Sequence, residues 1–366
     1  MTALDAPPQP PQRTSLPLAL PRLPGWAPAL VLVLSLCASG LLAMLAGWGI
    51  TAFVALAAVV FLVALPLWSL SIEGRRGATD RLMTSLVWTT FLVAVIPLVW
   101  LLWTVVRNGA PEISTSFLTF DMRNVVGDAQ GGIYHAIIGT LLVTLAAAII
   151  SVPVGLFCAI YLVEYGKGTR LARWVTFLVD VMTGIPSIVA GLFALALFVL
   201  IFGPQIRLGF GGSVALSLLM IPIVVRSTEE MLRLVPDDLR EASYALGVPK
   251  WRTIMKVVLP TSLGGIITGI MLAVARVIGE TAPLLVVAGK TDSVNFNLFG
   301  ERMTTLPVYI YYSFTQPGSV AFDAPPGTEA PGIARAWGAA LVLIVIVMGL
   351  NLIARLIGRI FAVKKG

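Results

Sequence analysis

Apolar residues along this chain come in long runs separated by short polar stretches. From Leu23 to Ile72 no residue is charged, a run of fifty. At ~1.5 Å per residue that run is long enough to cross a ~30 Å hydrocarbon layer twice. Gly47, Trp48 and Gly49 supply the turn between the crossings, so residues 26–71 read as a transmembrane hairpin. Further apolar spans cover about 83–106, 133–163, 172–202, 210–228, 262–289 and 335–361. The pattern predicts an all-α integral membrane protein with about eight transmembrane helices. Pro153 and Pro186 predict kinks within their spans, and Gly184 to Ser187 a further break. Residues 1–25, rich in proline, predict a disordered tail that is retained, because the apolar run after it exceeds the h-region of a signal peptide.

Composition agrees, with 58% apolar and 12% charged residues, and it excludes a soluble globular protein. Lys and Arg fix an orientation, since cytoplasmic loops carry the excess. With the N-terminus inside, 18 of the 25 fall in inside segments, six in outside ones, and Arg276 stands alone in mid-membrane. Both termini are expected to be cytoplasmic. The net charge of +7 then reflects topology and contact with anionic lipid, and nothing in its distribution suggests a nucleic-acid groove. Cys37 and Cys158 lie in separate spans and His135 is the single histidine, so no disulfide framework, metal site or cofactor is expected. His135 reads as an interfacial polar residue without a role. The chain lacks a phosphate loop of the G-x-x-x-x-G-K-[ST] kind, so it is expected to hydrolyse nothing and to leave ATP to another chain.

Two polar features interrupt the plan. The inside loop 226–260 contains EASYALGVPKWRTIMKVVLP from Glu241 to Pro260. Pro236 can open a helix of about three turns, Asp237 and Asp238 suit its first turn, and Gly247 can close it in a left-handed cap. Leu239, Ala242 and Leu246 share one face, while Arg240, Glu241 and Tyr244 fall elsewhere. Pro249 starts a second short helix, with Trp251, Ile254 and Val258 in the same spacing up to Pro260. The second feature is ARVIGETAPLL, residues 275–285. It places Arg276 and Glu280 four residues apart on one helix face, where each charge costs ~2.5 to 3.5 kcal/mol by insertion scales. Pro283 removes the bond to the Gly279 carbonyl and predicts a kink or break, as in helices that line transporter cavities. Gly265 and Gly269, spaced as G-x-x-x-G, can admit another helix, with a partner subunit as one candidate. The outside segments 107–132 and 290–334 are polar enough to be solvated and are candidate surfaces for an external partner.

Glu241, Ala242, Gly247, Leu259 and Pro260 match in register the E-A-A…G…I-x-L-P loop of ABC importer permeases, with Ser243 and Val257 replacing the usual Ala and Ile. ARVIGETAPLL and Met303 to Tyr311, MTTLPVYIY, resemble the PstA-type permeases of bacterial phosphate importers. The resemblance covers about residues 83–362. It implies a type I importer (MetI-like) core over 133–362, a flanking span at 83–106, and an extra hairpin at 26–71 with no assigned function. It also implies a plasma (inner) membrane location and four kinds of partner: a second, PstC-type permease, a PstB-type ATP-binding dimer, an extracytoplasmic PstS-type phosphate-binding protein, and phosphate itself. The loop at Glu241–Pro260 would be the coupling helix that seats in the ATPase.

A chemical expectation follows from the intramembrane pair. Phosphate at neutral pH is an anion that still carries a proton, so the Arg276 guanidinium attracts it while the Glu280 carboxylate accepts its P–OH. The Thr281 hydroxyl adds a neutral hydrogen bond. Arg226, at the inner end of the preceding span, is ranked below these three, and a snorkelling anchor is an equal reading of it. A permease of the same architecture for sulfate, molybdate or tungstate is the nearest alternative. An ion-driven secondary transporter is a further one, against which the Glu241–Pro260 loop argues.

Overall fold

A computed structural model describes residues 22–125, 127, 129–319 and 329–361. Most of the expected tail at 1–25, and residues 320–328 of the outside loop, lie outside the described residues. The described residues are helical, with no strand among them. The chain divides into two compact units, Met1–Leu102 and Trp103–Gly366.

The first unit holds α1 (Ala27–Ala46), α2 (Ile50–Ile72) and the start of α3 (Gly74–Gly109). The hairpin turn forms as expected: Gly47 adopts φ +66°, a left-handed conformation that glycine takes without steric penalty. The polar stretch before the predicted 83–106 span is not a loop. Glu73 alone separates α2 from α3, because the short polar residues there continue the helix. Glu73 clasps this corner, accepting from the Leu23 N–H at 2.7 Å, Ser69 Oγ at 2.5 Å and Arg81 Nη2 at 3.1 Å. The Arg81 hydrogen bond, followed by those from Ser69 and Leu23, lowers the carboxyl from 4.5 to about 2.

The second unit is built around α5 (Tyr134–Ile160) and α8 (Gly209–Arg233), joined by α11 (Leu259–Val277). Val143, Ala147, Leu216, Met220, Val224, Ala273 and Val277 form their common core. Small residues set how closely these helices approach. A Cβ at Gly155 would lie 2.7 Å from Val224 Cγ1, one at Gly265 2.1 Å from Met231 Sδ, and one at Gly269 2.5 Å from Ser227 Cβ. The G-x-x-x-G pair therefore receives α8 of the same chain, not a partner subunit. The segment 107–132 is also more ordered than a solvated loop. It contains α4 (Thr115–Thr119), whose Phe117 is buried with Ile133 and Tyr309. His135 is likewise buried, its ring edge-on to Tyr309 at 5.6 Å.

Among the described residues, seven helices are long and apolar enough to cross a membrane. The predicted 172–202 span is in two pieces, α6 (Arg170–Thr183) and α7 (Ser187–Phe202), which meet at 109° and make an eighth crossing if the pair is counted as one span. Gly184 to Pro186 make the break, Pro186 standing extended at ψ 137° as the N-cap of α7. The predicted 262–289 span is also broken. Its first part extends back to Lys250 as one helix ending at Val277, and α12 (Ala282–Val287) follows after a four-residue gap.

Candidate functional site

The two breaks face one cavity of about 310 Å³. Met182, Thr183, Ile185, Pro186 and Ser187 line it from the α6–α7 break, Leu219, Pro222 and Ile223 from α8, and Arg276 and Glu280 from the α11–α12 break. Pro222 is about midway along α8, so the cavity lies near the middle of a membrane-crossing helix, where transporter sites are formed by discontinuous helices. Pro283 sits at the second position of α12, where its missing N–H is harmless. Four residues, Ile278 to Thr281, leave the helix before it.

Arg276 Nη2 is 4.0 Å from Glu280 Oε1, and the two side chains are 69% and 18% exposed. An open pair of this kind contributes at most about 1 kcal/mol. The guanidinium is therefore available to an incoming group. The Val189 and Ala190 N–H groups of α7 both bond to the Pro186 carbonyl, so at this helix start the Ser187 and Ile188 N–H groups are the ones without an intrahelical acceptor, and Ser187 lines the cavity. The arrangement offers an anion a cation and a helix N-terminus together, with one carboxylate to accept a proton-bearing oxygen. Thr183 and Ser187 were visible in the sequence only as neighbours of a break.

Thr281, grouped with this pair in the sequence, is the N-cap of α12 and does not line the cavity. Arg226 lies one turn beyond Pro222 and is engaged elsewhere. Its guanidinium pairs with Asp180 of α6 and, at 2.8 Å, with Glu229, which also holds Arg233 at 2.5 Å. This chain of four charges ties α6 to α8.

The loop motif forms α9 (Asp237–Ala245), shorter than expected because Pro236 serves as its N-cap, and Gly247 closes it at φ +75°. The second short helix is not separate. α10 (Lys250–Thr253) passes through a π turn, Ile254–Val258, directly into α11. The π turn precedes Pro260, whose ring cannot continue the ordinary hydrogen-bond ladder. Glu241, Ala242, Gly247 and Pro260 are exposed and Leu259 partly so. The apolar face of Leu239, Ala242 and Leu246 points away from the protein, with Leu246 83% exposed, and Trp251 and Met255 of the following helix are exposed as well. The buried face consists of Arg240 and Ser243. Ser243 meets Thr253 at 2.8 Å. Arg240, not singled out by the sequence, reaches Glu164 of the π turn Tyr161–Tyr165 that follows α5.

Residues 151–365 match the family model described as "Binding-protein-dependent transport system inner membrane component". The chain is 48% identical over 285 residues to the phosphate transport system permease protein PstA 1 of Mycobacterium tuberculosis, covering 77% of this chain and 90% of that protein. It is 39% identical over 290 residues to the phosphate transport system permease protein PstA of Yersinia pestis, covering 79% and 92%. Among solved structures, a chain of the MetNI methionine ABC transporter in an inward-facing conformation is similar at TM-score 0.47 and 21% identity, over 63% of this chain and 95% of that one.

Proposed function

We propose, from the premise that this chain belongs to the family of binding-protein-dependent transport system inner membrane components, that it is the permease subunit of an ATP-driven importer of inorganic phosphate. The observation that carries the substrate reading is the cavity between the two helix breaks, with Arg276 and Glu280 in its wall. The names of the mycobacterial and Yersinia relatives support phosphate over other oxyanions. On this reading Arg276 and the N-terminus of α7 attract the anion, and Glu280 accepts the P–OH that sulfate lacks. Ser187 supplies the neutral hydroxyl expected of Thr281, whereas the Thr183 hydroxyl already donates to the Asp180 carbonyl at 2.6 Å. Arg226 positions α6 against α8 through Asp180 and meets phosphate, if at all, only after its pairs open.

The coupling reading rests on α9. An exposed apolar face bearing Leu239 and Leu246, with Trp251 and Met255 of the following helix also exposed, suits a docking surface for a PstB-type ATP-binding subunit. That face lies inside if both termini are cytoplasmic, as the distribution of Lys and Arg supports. A PstC-type permease would complete the path and a PstS-type binding protein would deliver phosphate outside, where Phe296 and Phe299 are exposed on the 290–305 segment. ATP is hydrolysed by the partner, not by this chain.

The test is uptake of labelled phosphate, driven by ATP, in vesicles holding this chain with its candidate partners, with excess sulfate as competitor. Uptake that ignores sulfate and disappears in Arg276→Ala supports the reading. Uptake of a different oxyanion instead of phosphate overturns the substrate, and wild-type uptake in the variant overturns the site.

A further inference from the structure

Helix α5 is fastened at both ends, each time to a loop and by different chemistry. At the inner end every N–H of the Arg240 guanidinium has an acceptor. Nε and Nη2 donate to Glu164 Oε1 at 3.1 and 2.9 Å, Nη2 also to the Leu232 carbonyl at 2.9 Å, and Nη1 to the Val235 carbonyl at 2.6 Å and to Asp237 Oδ1 at 3.1 Å. These five bonds use all five donors of the group. The pair is buried, the side chains 9% and 4% exposed. Lys250 Nζ donates to the Glu164 carbonyl and stands over the Tyr165 ring. Glu164, in the turn that continues α5, therefore meets Arg240 of α9 and Lys250 of α10, and Arg240 in turn holds the Leu232 carbonyl near the end of α8. At the outer end, Thr140 Oγ1 accepts the Leu306 N–H at 2.7 Å, and a Cβ at Gly139 would lie 2.0 Å from the Thr304 carbonyl oxygen. Between the two fastenings the helix is continuous, 32 residues from Tyr134 to Tyr165, and no α5 residue lines the Arg276 cavity.

We infer that α5 is a transmission rod: it carries displacement of the coupling helix α9, received through Arg240 and Glu164, to the outside segment Met303–Leu306, held through Thr140. Arg240 and Glu164 are positioning residues in this scheme. A buried ion pair is a weak source of stability compared with apolar side chains of similar volume, but it holds one geometry when all its donors are filled. That property is what a joint under load requires. The inference rests on the proposed docking of α9 to an ATP-hydrolysing subunit.

The experiment measures phosphate imported per ATP hydrolysed by the full importer in proteoliposomes. Glu164→Gln is expected to keep ATP hydrolysis and lower that ratio at least tenfold. The double variant Glu164→Met with Arg240→Met leaves no unpaired buried charge, so it assembles even where the single variant does not, and its ratio stays low. Thr140→Val, which removes the outer fastening, gives the same signature. A double variant with the wild-type ratio reduces the pair to a structural element and overturns the inference; a wild-type ratio in Thr140→Val overturns its outer half. Failure of the wild-type importer to couple ATP to any uptake is a separate result that removes the coupling reading beneath it.

Discussion

Gly191 of α7 and Pro283 of α12 are in backbone contact: a Cβ on Gly191 would lie 2.6 Å from Pro283 Cα. No rotamer relieves such a clash, so Gly191→Ala must push α12 away from α7 and open the wall of the Arg276 cavity. Overpacking of this kind costs about 1–3 kcal/mol. The variant is expected to melt several degrees lower and to import phosphate poorly, as thermal unfolding and vesicle uptake would read. A variant with wild-type melting and uptake would mean the two breaks are not held in register by this contact.

Arg276→Lys separates charge from geometry. Lysine keeps a point charge and loses the planar fork that grips an oxyanion in two places. Uptake is expected to fall about tenfold in Arg276→Lys, against complete loss in Arg276→Ala. Equal loss in both would assign the function to the fork alone.

Glu280→Gln is expected to relax the preference for phosphate over sulfate, because the amide no longer repels a fully deprotonated anion. The measurement is uptake of labelled phosphate with graded sulfate. An unchanged preference places discrimination elsewhere.

The exposed apolar face of α9 yields a variant that should be silent in the isolated chain. Leu246 is 83% exposed, so melting of Leu246→Asp should shift little, while affinity for the ATP-binding subunit drops at least tenfold by co-purification or titration. A drop in melting instead would show that Leu246 packs within this chain.

The Glu73 clasp has a defined pH signature. Its folded-state pKa, about 2, is depressed from 4.5, so its contribution is complete above the unfolded value and is lost as pH falls toward 2. The difference in melting temperature between wild type and Glu73→Gln should be constant from pH 7 to about 5.5 and shrink steadily below that. A difference that grows on acidification contradicts the clasp.

The apolar runs made the number of crossings legible, because a bilayer demands about twenty apolar residues from each. Pro283 and Gly184 to Ser187 marked both breaks. That the breaks face one another was not legible, since it depends on α7 and α12 meeting at Gly191, far apart in sequence. The spacing of Leu239, Ala242 and Leu246 defined a face but not its direction. It turned outward because Arg240 found an acceptor in Glu164, 76 residues away. The charged Arg240 is thus the anchor of α9, and the leucines form its surface.

The continuity of the helix from Lys250 to Val277 has a mechanical consequence. Trp251, on the face proposed to meet the ATPase, and Arg276, in the cavity wall, sit on one continuous helix about 37 Å apart at ~1.5 Å per residue, with the π turn Ile254–Val258 near its Trp251 end. A tilt of ten degrees about the Trp251 end would sweep Arg276 through roughly 6 Å, more than the width of a hydrogen bond. No side-chain relay is needed on this arm: on the proposed reading, the face that meets the ATPase and the cation that meets the anion are opposite ends of one lever.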